Sequence, residues 1–161
     1  MKYLYIVRHA KSDWPADTKD FDRPLSARGM RDAPKMAAHL LSMGVRIDKF
    51  ISSPAKRAIA TCKYFAEAYH NNDIEAVDKL YMAAPEDFTD TILQIGDRHD
   101  HVALFSHNNG LTYFVNALTS ENIGHVPTCG VAAFRVHTGS WSDFVNAEKE
   151  FLFFYYPKML A

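Results

Sequence analysis

The sequence predicts an α/β fold of three layers, with a mostly parallel central sheet flanked by helices, in one domain spanning residues 1–161. Three observations carry this prediction. Short apolar runs alternate along the chain with stretches of helical periodicity, in the order β-α-β-α-β-α-β-α-β-β. The first run, Tyr3-Leu4-Tyr5-Ile6-Val7, is continuously apolar, as in a strand covered on both faces. The chain has 161 residues, 48% of them AVILMFWYC and 13% aromatic, with only 7 Gly and 7 Pro, which suits one well-packed core and not a low-complexity segment.

The elements follow in order. After the first strand, Asp13 to Arg23 is polar, carries Pro15 and several Asp, and reads as a surface loop before Pro24. Ser26 caps a helix over about 27–43, closed by Gly44, with Met30, Ala33, Ala37, Leu40 and Leu41 on its apolar face. Pro34 lies inside it, where a kink is expected. Lys49 to Ser52 is a second strand. Ser53-Pro54 then opens a helix, with Ser as cap, Pro at the first position and a stripe of Ile59, Cys62, Phe65, Ala66 and Tyr69. Ile74 to Val77 is a third strand, and Pro85 opens a helix carrying Phe88, Ile92 and Ile95. His101 to Phe105 is a strand and Asn109 to Leu118 a helix. Two last strands, Gly130 to Val136 and Glu150 to Tyr156, are joined by a turn around Thr138-Gly139.

Charge narrows the function classes. Eighteen Lys+Arg against 19 Asp+Glu leave a net charge of −1, no overall footprint for nucleic acid or an anionic membrane. The longest apolar runs fall far short of the roughly 20 residues of a membrane helix. Met1-Lys2 leads straight into a strand with no signal-peptide pattern. Cys62 and Cys129 form no CxxC pair, so neither a disulfide scaffold nor a zinc ribbon is indicated. A soluble cytoplasmic protein is expected.

Chemistry collects in three segments where an apolar strand ends and polar or cationic residues follow: Val7-Arg8-His9-Ala10-Lys11-Ser12, Ile51-Ser52-Ser53-Pro54-Ala55-Lys56-Arg57, and Phe105-Ser106-His107-Asn108-Asn109-Gly110. Ligands of open α/β sheets bind outside the carboxyl ends of the strands. If these strands are parallel neighbours, Arg8, His9, Arg57 and His107 converge on one crevice. Lys56 and Arg57 fall in the first turn of a helix, where the dipole disfavours a cation by roughly 0.3–1 kcal/mol. A bound anion reverses that cost, since helix N-termini and guanidinium groups both suit phosphate. Extension into water is the plainer alternative. His39, His70, His99, His101, His125 and His137 read as structural. No HxH or HExxH pairing accompanies His9 and His107, and the neighbouring arginines would repel a cation, so no metal site is expected.

These residues resemble the histidine phosphatase superfamily, the phosphoglycerate mutase-like proteins. The resemblance rests on Arg8-His9, on Ser53-Pro54-Ala55-Lys56-Arg57-Ala58-Ile59-Ala60-Thr61, and on Ser106-His107. Ala10 departs from the Arg-His-Gly motif that marks the superfamily. The run Arg8-His9-Ala10-Lys11-Ser12 is instead similar to the phosphohistidine phosphatase branch, the SixA-like proteins. So are Asp20-Phe21-Asp22-Arg23-Pro24-Leu25-Ser26-Ala27-Arg28-Gly29 and the ending Pro157-Lys158-Met159-Leu160.

The resemblance implies that His9 attacks phosphorus and forms a phosphohistidine intermediate, while Arg8, Arg57 and His107 bind the phosphoryl oxygens. The second nitrogen of His9 is expected to donate to a backbone carbonyl, fixing the tautomer. No cofactor or metal is implied. Many relatives place a Glu general acid after the third strand; here Leu80-Tyr81-Met82 puts Met82 there. Glu86 is the nearby candidate acid, although a carboxylate at a helix start also serves as dipole complement. A phosphoramidate needs less leaving-group help than an alkyl ester. The expected substrate is therefore a protein phosphohistidine, such as that of a phosphotransfer domain, with Lys11, Ser12, Asp20, Arg23 and Asn108 as substrate-binding candidates. A small phosphate ester is the second reading and a phospho-binding module without turnover the third. In each, phosphate or sulfate is expected to occupy the site.

Overall fold

A computed structural model of the chain describes residues 1–160. Six strands form one sheet: β1 (Lys2–Arg8), β2 (Lys49–Ser52), β3 (Ile74–Ala76), β4 (His101–Ser106), β5 (Val131–Val136) and β6 (Lys149–Tyr155). The helices are α1 (Ala27–Ser42), α2 (Lys56–Ala68), α3 (Pro85–Leu93) and α4 (Gly110–Ala117). The sheet order is β3-β2-β4-β1-β5-β6. β1 to β4 pair in parallel, and β5 runs antiparallel to both of its neighbours, β1 and β6. Parallel pairs need long crossovers, and α1, α2 and α3 supply them in turn.

Alternation along the strands sorts the core into two halves. Leu4 and Ile6 of β1, with Val102 and Leu104 of β4, pack under α3 and α4 through Phe88, Ile92, Leu111 and Phe114. Tyr5 and Val7, with Ala103 and Phe105, pack under α1 and α2 through Ala33, Met36, Ala37, Leu40, Cys62 and Phe65. Covered on both faces, these strands need no polar side, which explains the unbroken apolar run of β1. The three-layer expectation holds. Among the described residues, no helix is long and apolar enough to cross a membrane.

The structure corrects several local expectations. The inner face of α1 is Gly29, Ala33, Met36, Ala37 and Leu40, while Met30 and Leu41 are exposed. The stripe recurs every three or four residues from Gly29, and Met30 stands about 100° off it. α1 runs unbroken through exposed Pro34. α2 begins at Lys56 with Ala55 at its N-cap, two residues later than predicted, because the Ser53 hydroxyl caps no helical turn and instead accepts from Ala55 N–H at 3.2 Å. Ile95 lies beyond the end of α3, though it is buried. The connection between β5 and β6, where a turn was expected around Thr138-Gly139, also contains a short 3₁₀ turn at Trp141–Asp143.

Candidate active site

The strand order β2-β4-β1 brings the three strand exits side by side. Backbone bonds lace them together. His9 N–H donates to Ser106 O at 3.1 Å, Ser53 N–H to Phe105 O at 2.9 Å, and Cys129 N–H to His9 O at 3.0 Å. A cleft of about 690 Å³ opens there, bordered by Arg8, His9, Arg57 and His107. The convergence expected from the sequence is present.

His9 is 7% exposed. Its Nδ1 lies 2.7 Å from Ala10 O. A carbonyl can only accept, so Nδ1 carries the proton and Nε2 keeps its lone pair. Arg57 Nε–H points at that lone pair from 3.4 Å. Burial, reinforced by the charges of Arg57, Arg8 and Arg23, lowers the His9 pKa to about 3, although the bond to Ala10 acts the other way. Ala10 N–H donates to Thr61 Oγ1 at 2.9 Å, and the Thr61 hydroxyl donates to Arg57 O at 2.8 Å. One threonine of α2 thus ties the His9 segment to the helix that carries Arg57.

His107 is also buried, with its ring centroid 5.1 Å from that of His9. Burial, then the neighbouring His9 and Arg57, lowers its pKa to about 3. Its Nε2 lies 2.7 Å from Ser53 Oγ. Ser53 Oγ also accepts from Ala55 N–H, so the hydroxyl links His107 to the start of α2, and the other ring nitrogen is Nδ1. That Nδ1 is buried and unpartnered, as is Arg8 Nε. Arg8 Nη1 donates to Val126 O at 3.1 Å and lies 3.3 Å from His125 Nε2. Burial and the Arg57 charge both lower the Arg8 pKa.

Arg57 is 5% exposed in the first turn of α2. Its unfavourable place on the helix dipole is offset by Asp20, an internal anion. Arg57 Nη1 donates to Asp20 O at 2.6 Å and Nη2 to Asp20 Oδ2 at 3.1 Å. Tyr81 donates to the same Oδ2 at 2.6 Å, and Arg23 Nη1 to Oδ1 at 3.2 Å. Burial would raise the Asp20 pKa, but bonds from Tyr81, Arg57 and Arg23 outweigh it and hold the carboxyl at about 2. Lys56 is exposed, in keeping with the plainer alternative of extension into water.

Lys11, Ser12, Asp20, Arg23 and Asn108 all border the cleft. Ser12 Oγ accepts from Arg23 Nη2 at 2.9 Å. Asn108 is committed to the fold, donating to Val126 O at 2.9 Å and accepting from Thr112 N–H at 3.2 Å. Glu86 is exposed on α3 and is not among the residues bordering the cleft. Its neighbour Asp87 serves the helix end, accepting from Ala84 N–H at 2.9 Å. Ser53, Thr61, Tyr81 and His125 were not singled out as site residues in the sequence. Ser53 and Thr61 stood inside a quoted motif, and Tyr81 beside the position where an acid was expected. Among the described residues, no three His, Cys, Asp or Glu side chains cluster as a metal ion would require.

Comparison with known proteins agrees with this arrangement. Residues 4–81 match the family model of the histidine phosphatase superfamily (branch 1). An uncharacterised protein of Mycobacterium tuberculosis is 32% identical over 149 residues, covering 85% of this chain and 90% of its own length. Among solved structures, a protein of Agrobacterium tumefaciens provisionally assigned as the phosphohistidine phosphatase SixA superposes with a TM-score of 0.83. It is 26% identical and covers 97% of this chain and 98% of its own. The protein histidine phosphatase SixA in complex with tungstate superposes with a TM-score of 0.82 at 21% identity, covering 99% of each chain, a likeness of fold. With the motifs of the sequence meeting in one cleft of a phosphoglycerate mutase-like fold, the chain belongs to the histidine phosphatase superfamily and is a phosphatase.

Proposed function

We propose that this phosphatase removes the phosphoryl group from a phosphohistidine displayed on another protein, through a covalent intermediate on His9 and without a metal ion. The observation that carries the nucleophile is the tautomer of His9: Nδ1–H is tied to Ala10 O, and Nε2 keeps its lone pair, which faces Arg57 Nε–H. In the first step the substrate P–N bond breaks as a bond from phosphorus to His9 Nε2 forms, and the departing imidazole takes a proton from water. In the second, water attacks phosphorus, His9 leaves, and inorganic phosphate forms. Arg8, Arg57 and His107 stabilise charge on the phosphoryl oxygens.

The phosphohistidine substrate is supported by the carboxylate inventory. Asp20, which borders the cleft, is ionised and accepts from three side chains, so it holds no proton for an alkoxide. Glu86 is exposed and away from the cleft. A protein substrate suits an opening flanked by Met82 and Tyr113, which are 78% and 65% exposed. The Agrobacterium protein, provisionally assigned as a phosphohistidine phosphatase, supports the same reading. The free, buried thiols of Cys62 and Cys129 suit the reducing cytoplasm.

A leaving-group series tests this. Phosphohistidine protein and aryl phosphates should be hydrolysed in the presence of EDTA, and alkyl phosphates barely. An alkali-stable, acid-labile phosphoryl group should be trapped on His9 and be absent from His9→Ala. Efficient alkyl phosphate hydrolysis that falls roughly 10²–10⁴-fold in Glu86→Gln, the scale of general acid catalysis, would identify a small-metabolite phosphomonoesterase instead. Binding without turnover of any substrate would identify a phospho-binding module.

A further inference from the structure

Arg57 occupies a place where a guanidinium should not rest. It lies in the first turn of α2, at the positive end of the helix dipole. The N-cap, Ala55, offers no side-chain acceptor. Arg8 is near enough for the two charges to repel. A long cationic side chain in that field ordinarily swings out to water, yet Arg57 is buried and faces His9.

Asp20 accounts for this. The short 3₁₀ turn Asp20–Asp22 presents two acceptors of one residue to the two terminal nitrogens of one guanidinium, the carbonyl to Nη1 and the carboxylate to Nη2. A planar fork held at two points cannot rotate. Its third nitrogen, Nε, is thereby fixed on His9 Nε2 at 3.4 Å. Each Nη atom keeps a second hydrogen that is free to meet a phosphoryl oxygen. Asp20 is itself fixed, by Tyr81 on Oδ2 and Arg23 on Oδ1. Tyr81 in turn packs edge-on against the His107 ring, centroids 5.6 Å apart.

We propose that Asp20 is the positioning residue of the phosphoryl clamp: it grips the far end of the Arg57 guanidinium and turns the Nε edge onto His9 Nε2, with Tyr81 holding the Asp20 carboxylate in place. The proposal rests on Arg57 as a ligand of the transferring phosphoryl group and not on the identity of the substrate. It departs from a role for Asp20 as a contact for the partner protein, because a positioning role acts on every substrate.

A double-mutant cycle on a small aryl phosphate tests it, since such a substrate has no partner surface. Asp20→Asn keeps the shape but loses the charge, and its one side-chain oxygen cannot replace both Oδ2, which Tyr81 and Arg57 share, and Oδ1, which accepts from Arg23. It should lower kcat/KM roughly 10- to 100-fold, the scale of a charge-assisted hydrogen bond, mainly through kcat, and weaken inhibition by vanadate. In an Arg57→Lys background the same substitution should cost less than about threefold, because the fork it orients is gone. Tyr81→Phe, which leaves the Arg57 contacts intact, should give a smaller loss in kcat and keeps the test open if Asp20→Asn folds poorly. Equal losses from Asp20→Asn in both backgrounds would overturn the proposal, as would losses in Asp20→Asn and Tyr81→Phe confined to a phosphohistidine protein. Wild-type rates in Arg57→Lys would instead remove Arg57 from the site, a failure of the clamp itself and distinguishable from the first.

Discussion

His9 and His107 stay neutral because burial and nearby arginines oppose a further positive charge. An unperturbed imidazole would be half protonated near pH 6.5 and lose its lone pair in mild acid. The His9 Nε2 lone pair should therefore persist well below that. In NMR spectra, the His9 ring signals, assigned by comparison with His9→Ala, should not titrate between pH 8 and 5. A His9 midpoint near 6.5 would contradict this account and would imply that the proposed nucleophile is largely protonated at pH 6. Asp20 shows the complementary logic, a carboxylate kept ionised by the donors around it. None of these states was legible from residue type. The sequence identified Arg8, His9, Arg57 and His107 because each follows or opens an element at a strand exit. Ser53 was legible only as a helix cap, although its hydroxyl meets His107.

At the level of elements, the site depends on α2 lying against the segment after β1. Thr61 makes that connection, and it is fully buried. Thr61→Val preserves the volume but leaves Ala10 N–H without its acceptor. A buried donor left unpaired costs about 1–3 kcal/mol, so urea unfolding should show a loss of that size. Turnover should fall as well, because Ala10 carries the carbonyl that sets the His9 tautomer. Stability and rate unchanged from wild type would show that the Thr61 bond is dispensable. The start of α1 makes a second such connection. Ser26 accepts from Gly29 N–H at 3.1 Å and donates to Lys11 O at 3.1 Å, and a Cβ at Gly29 would collide with that same Lys11 carbonyl. The cap at Ser26 was readable in the sequence; its second bond was not, since it crosses 15 residues.

At the level of the whole molecule, the neutral histidines link stability to pH. Unfolded, His9 and His107 take up protons as pH falls through about 6.5; folded, they resist to about 3. Between these values the unfolded state binds more protons, so stability rises with pH and is lost on acidification, by about 1.4 kcal/mol per pH unit for each such histidine. His101, also lowered by burial, acts in the same direction. Asp20, held at about 2, adds a further loss only below its unfolded value near 3.8. Urea midpoints at constant m should therefore drop steadily from pH 6.5 to 4.5. His107→Gln should flatten that slope by about one proton; an unaltered slope would mean that His107 titrates alike in both states.

The order of elements, the two-sided burial of the first strand and the three strand exits that carry Arg8-His9, Arg57 and His107 were all legible along the chain. Those features are written in local periodicity and in motifs a few residues long, where burial and propensity act on near neighbours. Which face of α1 turns inward depends on what α1 packs against, and the fold buries Met36 in place of Met30. The same holds for Asp20. By composition its stretch is a polar loop, and the motif there marked Asp20 as a substrate-binding candidate; the path of that loop instead brings its carboxylate across to Arg57, 37 residues on, and to Tyr81, 61 residues on. Loop closure over such distances is set by the packing of the elements it joins, and the composition of a polar loop does not encode it.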